Sequence, residues 1–374
     1  MPLSATENGK NKTAAGILDS MEIRFATNDE IAQWNALILA NPDGGNIFQS
    51  DEFAQQKTMG AWTPRYLIAD TLAITVLEKS VPGLGTMWYI PKGPGVGTVP
   101  QLGDLLRALE RFAANHGVFA VKIEPELEKT DDAVTATKAF GLLPVAPIQP
   151  HSSTVLIDLT PELDDIMAGL NQKSRHAIRR AERDGVTVKQ VEATDKNCRI
   201  FYDMFAETAK AQGFIIRPYD YQYKFWRRFA DAGLGQLFFT YHDGKLIACG
   251  FAMVFGEKSL YKDAASTREK PVYGASHLMQ WHIIQWARQQ GSQLHDLGGA
   301  PQATKSWTKT THTTVSVGSR PVLTNMLPIT LAPMTYRLNP YNTEYGQNSA
   351  NAWQSVIGGA DIMKVGIDIF IEIL

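Results

Sequence analysis

The densest run of like charge in this 374-residue chain lies between Lys173 and Arg183. Lys173, Arg175, Arg179, Arg180 and Arg183 are opposed there only by Glu182. Arg175, Arg179 and Arg183 recur every fourth residue, so on a helix they form one stripe. Ala177, Ile178 and Ala181 make the buried side, and Gly185 ends the helix. A charge stripe is ordinarily a solvated face. In a chain of net charge −2, however, such a local excess points to an anionic partner.

A second anion site is suggested by the stretch from Ser259 to Gln302. Ser259 to Ala265 alternates as a strand does, and Thr267 to Pro271 reads as a loop. From Gly274 the period becomes helical, with Trp281 and Ile284 as apolar anchors. Ser276 suits the N-cap and Gly291 the stop. Leu294 to Leu297 is a short strand closed by Gly298-Gly299. Strand, loop, helix, strand is a crossover unit. Its helix start offers free N–H groups to a phosphate or carboxylate, although such a unit is as often ordinary α/β packing with no ligand.

Other chemistries are missing from the pattern. The eight histidines are scattered, and His277 and His282 sit five apart on different helix faces. No zinc-binding histidine motif, G-x-S-x-G turn or Walker A loop occurs, so no metal site is expected. Cys198 and Cys249 form no disulfide framework and read as reduced residues of a cytoplasmic protein. The composition, 44% hydrophobic and 20% charged, is that of a globular protein without a global basic field, and DNA binding is not expected. No apolar run reaches a membrane span, and no signal-peptide core is apparent.

The elements that must carry these residues can be read in order. Residues 1–20 read as a disordered leader. Glu22 to Ala26 is a strand, and Asp29 to Leu39 a helix capped by Thr27 or Asn28. Ser50 caps a helix whose first turn holds Asp51 and Glu52, with Phe53 and Lys57 on one side. A lysine so placed is ordinarily solvated. Arg65 to Ala69 pairs with Leu72 to Lys79, and Met87 to Ile90 ends at a Pro/Gly-rich turn. Leu102 to His116 is an amphipathic helix, Phe119 to Ile123 a strand and Thr130 to Phe140 a helix. After a joint at 141–153, Thr154 to Leu159 is a strand, with a helix starting at Thr160-Pro161. Asp195 to Gln212 is a helix broken at Gly213, and another runs through Tyr223, Trp226 and Phe229. Gly235 to His242 and Lys245 to Phe255 form a hairpin across Asp243-Gly244.

Several ordered pieces resemble the Fem family of non-ribosomal aminoacyltransferases, which build peptidoglycan cross-bridges. The crossover unit carries Tyr261, Asp263, Ala264, Ala265 and Ser266, then Gly274, Ala275, Ser276, Trp281, Trp286 and Ala287, then Asp296, Gly298 and Gly299. The basic helix matches at Lys173, Arg175, Ile178, Arg179, Arg180, Ala181, Glu182, Gly185 and Val186. Phe48, Gln49, Ser50, Phe53 and Lys57 match the family's Phe-Gln-Ser segment with its following aromatic residue and lysine, and Tyr89 to Pro94 a Y-x-P-R-G-P segment with Lys92 for Arg. The likeness covers roughly residues 22–340 and weakens after Gly299.

The resemblance implies an α/β (α+β) protein of two GNAT-like acyltransferase domains in tandem, without the coiled-coil arm of some relatives. Domain 1 would span 21–150, completed by a C-terminal strand near 322–340. Domain 2 would span 151–321, and 341–374 is an extension outside the resemblance. By the same resemblance Lys57 and Arg217 hold precursor phosphates, and Tyr221, Tyr261 and Tyr89 line the acceptor site. Lys309 or Lys305 stabilises the transferring group. Tyr261 and Asp263 are further catalytic candidates, Asp263 and Asp296 as acceptors of the ammonium proton, although strand-end carboxylates ordinarily cap or pair. The basic patch serves the tRNA or nucleotide side.

The activity implied is transfer of an amino acid from aminoacyl-tRNA to the amine of a peptidoglycan stem peptide. Such an ester is already activated, so orientation and an oxyanion donor suffice. Aminoacyl-tRNA is the co-substrate, with no cofactor. The acceptor is UDP-MurNAc-pentapeptide or the lipid-linked precursor, met in the cytoplasm or by peripheral contact at the inner membrane face. The alternatives are a GNAT-type N-acyltransferase using acyl-CoA on a polysaccharide or small amine, and a non-catalytic homologue that binds precursor or tRNA.

Overall fold

A computed structural model describes residues 21–145, 148, 153–267, 272–299, 318–321 and 325–328. Two seven-stranded sheets organise them. The first half runs β1 (Ile23–Phe25), α1 (Asn28–Ile31), α2 (Trp34–Leu39), a 3-10 turn (Ile47–Gln49), α3 (Asp51–Lys57), β2 (Thr63–Ala69), β3 (Leu72–Val81) and β4 (Gly85–Ile90). It continues with α4 (Val99–Asn115), β5 (Val118–Ile123), α5 (Asp131–Ala139) and β6 (Leu143–Pro144). The second half begins with β7 (Ser153–Asp158), α6 (Leu163–Gly169), α7 (Gln172–Arg183), β8 (Thr187–Val191), α8 (Asp195–Gln212) and α9 (Tyr219–Asp231). Then come β9 (Gly235–His242), β10 (Lys245–Phe255), β11 (Lys258–Ser266), α10 (Ala275–Gln289), β12 (Leu294–Gly299), β13 (Gly318–Pro321) and β14 (Asn325–Pro328).

The first sheet has the order β1-β2-β3-β4-β5-β14-β6. Strand β14, remote in sequence, thus lies between β5 and β6. Strands β4 and β5 are parallel, joined by the crossover helix α4. The stripe of Leu102, Leu105, Leu106 and Leu109 on α4 packs on Val76, Trp88, Ile90 and Val121 of the sheet. The second sheet has the order β13-β7-β12-β11-β10-β9-β8. On one face Ile178 and Ala181 of α7 and Leu278, Trp281 and Ile284 of α10 share a core with Ile157 and Phe238. Helices α8 and α9 pack on the sheet elements β11 and β9, where Phe201 stacks on Trp226 at 4.3 Å. Burying side chains of this size contributes about 1.5–3 kcal/mol each before entropy is charged.

The start of α10 is held by a backbone constraint. Gly274 occupies the N-cap position with φ +80°, and a Cβ there would lie 2.1 Å from the carbonyl oxygen of Ala177. Only glycine lets α10 approach α7 so closely.

Four local expectations are corrected. The helix expected over 29–39 is two: α1 opens with a Thr27–Glu30 capping box, and Gln33 leaves helical geometry before α2. Trp34 is then buried, donating through Nε1 to Thr75 Oγ1 at 2.7 Å. Helix α6 starts at Leu163 rather than after Thr160, whose N–H and hydroxyl both turn back to Asp158 Oδ1 at 2.9 and 2.7 Å. Ser276 lies inside α10 and does not cap it. Strand β8 was not expected, because Thr187-Val188-Lys189-Gln190-Val191 is a polar strand that, among the described residues, pairs only with β9.

Candidate functional site

Three cations converge where the two halves meet. Helix α3 packs on α9, and Gln56 Nε2 donates to the Tyr221 carbonyl oxygen at 3.1 Å. Gln56 Oε1 accepts from Arg228 Nε at 3.4 Å. This docking sets Lys57, on the last turn of α3, beside Arg217 and Lys262. The Lys57 ammonium lies 5.0 Å from the Phe53 ring centroid, and Arg217 Cζ lies 5.7 Å from that of Tyr221. Burial pushes the Lys57 amine down to about 8, helped by the positive charges of Arg217 and Lys262. Burial also pushes the Tyr221 phenol up, against the pull of Arg217. A half-buried lysine repelled by two cations becomes favourable when an anion fills the space between them.

Lys262 reaches this cluster through a β-bulge. Along β10–β11, Phe251 faces Asp263 and Ala252 faces Tyr261, leaving Lys262 without a partner of its own. A bulge sends consecutive side chains to one side and commonly re-aims a residue near a site. Lys262 Nζ accordingly lies 5.5 Å from the Phe225 ring of α9, while the buried Asp263 accepts from Trp226 Nε1 of the same helix at 2.9 Å. Gln222 Nε2 adds a bond at 3.4 Å and Lys262 Nζ one at 3.1 Å. Asp263 is thus anchored on all sides and steadies Lys262. Alternation hid this arrangement, since regular pleating would send residues 262 and 263 to opposite faces. A Lys-Asp pair inside a strand was the one available signal.

A cavity of about 300 Å³ lies farther along β11, between the halves. Its walls include Asp43, Lys92 and Glu126 from the first half and Lys258, Leu260 and Asp296 from the second. Leu260 pairs with Met253, which shares a face of β10 with Phe251 by alternation, and Phe251 and Lys262 both meet Phe225 of α9, so the cation cluster and the cavity open on one side of the sheet. Here the parallel pair β11–β12 is in register from Lys258↔Leu294 to Leu260↔Asp296, and the strands then part. Lys258 Nζ meets Glu126 Oε2 at 2.7 Å across the two halves. Burial raises the Glu126 carboxyl, but Lys258 more than offsets this and leaves it below its ordinary range. Burial raises Asp296, which is engaged by the Thr154 hydroxyl and by the Gly298 N–H at 2.7 Å.

The structure thus groups Lys57, Arg217 and Tyr221. It sets Tyr261 on the opposite face of β11, among the α10 core residues, where Met279 and Gly250 adjoin it. Burial raises its phenol well above the ordinary range. Tyr89 is buried on the first sheet and donates to Glu124 Oε2 at 2.7 Å. The basic stripe divides. Lys173, Arg179 and Arg183 are exposed on α7. Arg175 instead donates to the Ala168 carbonyl at 2.8 Å and to that of Leu170, closing the end of α6. Arg180 pairs with Asp184 at 3.2 Å and lies 5.1 Å from the Tyr273 ring. Lys305 and Lys309 lie outside the described residues. Among the described residues no group of His, Cys, Asp or Glu could hold a metal, and no helix is long and apolar enough to cross a membrane.

A crossover helix over parallel strands that part beside a cavity defines a GNAT-type acyltransferase fold, here in tandem. Residues 170–306 match the family described as Acetyltransferase (GNAT) domain. The chain is similar to a UDP-N-acetylmuramoylpentapeptide-lysine N(6)-alanyltransferase of Weissella viridescens, 28% identical over 242 residues, covering 61% of this chain and 70% of that protein. It is 26% identical over 243 residues to a Lipid II:glycine glycyltransferase of Staphylococcus aureus (strain MRSA252), covering 60% of this chain and just over half, 56%, of that protein. A crystal structure of FemX superimposes with a TM-score of 0.66 at 20% identity, covering 77% of this chain and 91% of that one. The resemblance to Fem-type aminoacyltransferases holds in both sequence and fold. No coiled-coil arm is present among the described residues.

Proposed function

We propose that this protein transfers an amino acid from aminoacyl-tRNA to an amine on the stem peptide of a peptidoglycan precursor. The observation that carries this reading is the Lys57, Arg217 and Lys262 cluster, formed only where the two halves meet. A diphosphate supplies the charge that cluster lacks, and both a nucleotide-linked and a lipid-linked precursor carry one. Arginine binds two phosphate oxygens at once, and lysine acts as a point charge. Held there, the acceptor extends along β11 toward the cavity where β11 and β12 part. The donor ester is activated in advance, so the protein's task is to orient the amine against the carbonyl and exclude water. The exposed Lys173, Arg179 and Arg183 suit the phosphates of the tRNA. This chemistry takes place on the cytoplasmic side, where charged tRNA is found.

The GNAT match keeps acyl-CoA as the competing donor. The test offers labelled aminoacyl-tRNA and labelled acetyl-CoA in parallel, with an amine-bearing muropeptide diphosphate as acceptor. Label transferred from the tRNA alone supports the reading. Label transferred only from the thioester would replace it with an acyl-CoA-dependent activity.

A further inference from the structure

Beside the cation cluster the chain exposes apolar side chains. The turn joining α8 to α9 reads Gly213-Phe214-Ile215-Ile216-Arg217-Pro218. Ile215 is 99% exposed and Phe214 40% exposed. Isolated apolar residues on a surface are ordinary. Two exposed in a row at a loop tip, with a half-buried Ile216 after them, form an apolar projection suited to binding.

The tip is braced. Gly213 closes α8 in the left-handed region at φ +74°, and the N–H groups of Gly213 and Phe214 both donate to the Ala209 carbonyl, at 2.8 and 3.1 Å. The Phe214 ring leans on Phe205 at 5.9 Å, and Tyr202 Oη donates to the Arg217 carbonyl at 3.1 Å. Ile215 therefore projects from a fixed base. Within four residues of the turn the charged side chains are positive or paired: Lys210 is exposed one turn earlier, Arg217 follows, and Asp220 is paired with Lys224 at 3.0 Å, while the exposed Glu207 lies a further turn back on α8. Ile215 and Arg217 are two residues apart, so their Cα atoms lie within about 7 Å. An apolar tip and a phosphate grip are thus separated by about the length of a lipid headgroup.

We propose that the Phe214–Ile216 turn is a membrane-docking tip that sets the Lys57–Arg217–Lys262 cluster against a bilayer bearing a lipid-linked diphosphate acceptor. The proposal rests on the function given above and deepens it, because it selects the lipid-linked precursor over the nucleotide-linked one. Ile215 and Phe214 enter the acyl boundary, and Lys210 and Arg217 stay at the level of anionic headgroups. The diphosphate of an acceptor anchored in that bilayer then lies at the depth of the cluster.

The test uses the full chain with vesicles of phosphatidylglycerol and phosphatidylcholine, comparing wild type, Ile215→Asp and Ile215→Leu by co-sedimentation. Thermal melts check folding, which an exposed position leaves intact. Ile215→Asp should lower the vesicle partition coefficient about tenfold or more, and Ile215→Leu should leave it unchanged. Ile215→Asp should also lower transfer to a lipid-linked acceptor in vesicles while sparing transfer to the nucleotide-linked form. Equal vesicle binding by wild type and Ile215→Asp would overturn the proposal. So would an equal loss of transfer to both acceptors, which would make the tip part of the substrate site. Vesicle binding that depends on Ile215, with no aminoacyl transfer by wild type to either acceptor, would uphold the tip and refute the aminoacyltransferase reading.

Discussion

Lys57 gives the account a pH signature. Its amine is held at about 8, against an ordinary 10.5. Between those values the unfolded chain binds more protons than the folded one, so folding stability rises with pH there, and the charged form costs stability below the folded value. An anion reverses that cost by pairing with the charged form. At pH 7 about nine-tenths of the Lys57 side chains are charged, and at pH 9 about one-tenth. The affinity for a muropeptide diphosphate should therefore fall about tenfold between those pH values, while Arg217 stays charged throughout. Lys57→Met should weaken binding at pH 7 by about ten- to a hundredfold, as for the loss of one charge-assisted bond. It should also flatten the pH profile, and the ligand's own titration cancels in the ratio of wild type to variant. Isothermal titration at fixed ionic strength measures both. A profile that falls equally in wild type and Lys57→Met would refute the assignment of Lys57 to the phosphate.

Other perturbations follow from the same geometry. Lys262→Met removes a like charge, so the Lys57 inflection in the binding profile should move up toward 10.5 even as affinity at pH 7 drops; an unmoved inflection would separate the two lysines. Trp226→Phe deletes the 2.9 Å bond to the buried Asp263 and should cost about 1–3 kcal/mol in urea unfolding. Gly274→Ala sets a Cβ against the Ala177 carbonyl at a positive φ and should destabilise the second half by about 2–4 kcal/mol, read from thermal unfolding. Arg179→Ala should weaken tRNA binding and reduce its salt dependence, whereas Arg175→Ala should lower stability and leave the salt slope unchanged.

Much of the fold was legible because local signals agreed with the long-range arrangement. Ser50, Thr130, Gly185 and Gly213 mark the helix boundaries they suggest. The hairpin over Gly235 to Phe255 appears with its expected limits. What failed did so where neighbouring chain overrode a local preference. Thr160 looks like a cap until its bonds to Asp158 are seen, and Ser276 loses the cap position to a glycine that must pass beneath Ala177. In the site, the shared place of Lys57, Arg217 and Tyr221 follows from family resemblance, but not the docking of α3 on α9 that brings them together. Lys262 could not be named, because a one-residue bulge in β11 decides which way it points. Arg175 read as part of an anion-binding stripe, and only the end of α6 beneath it shows that its guanidinium is already engaged.

The mass of a precursor after incubation with charged total tRNA tests the central claim most directly. Purified protein is supplied with the nucleotide-linked and the lipid-linked precursor in separate reactions, and each product is weighed. The account predicts a gain of one or more aminoacyl residues that disappears after ribonuclease treatment and in a Lys57→Met, Arg217→Met double variant. An unchanged mass for both precursors, with the tRNA still charged at the end, would contradict it.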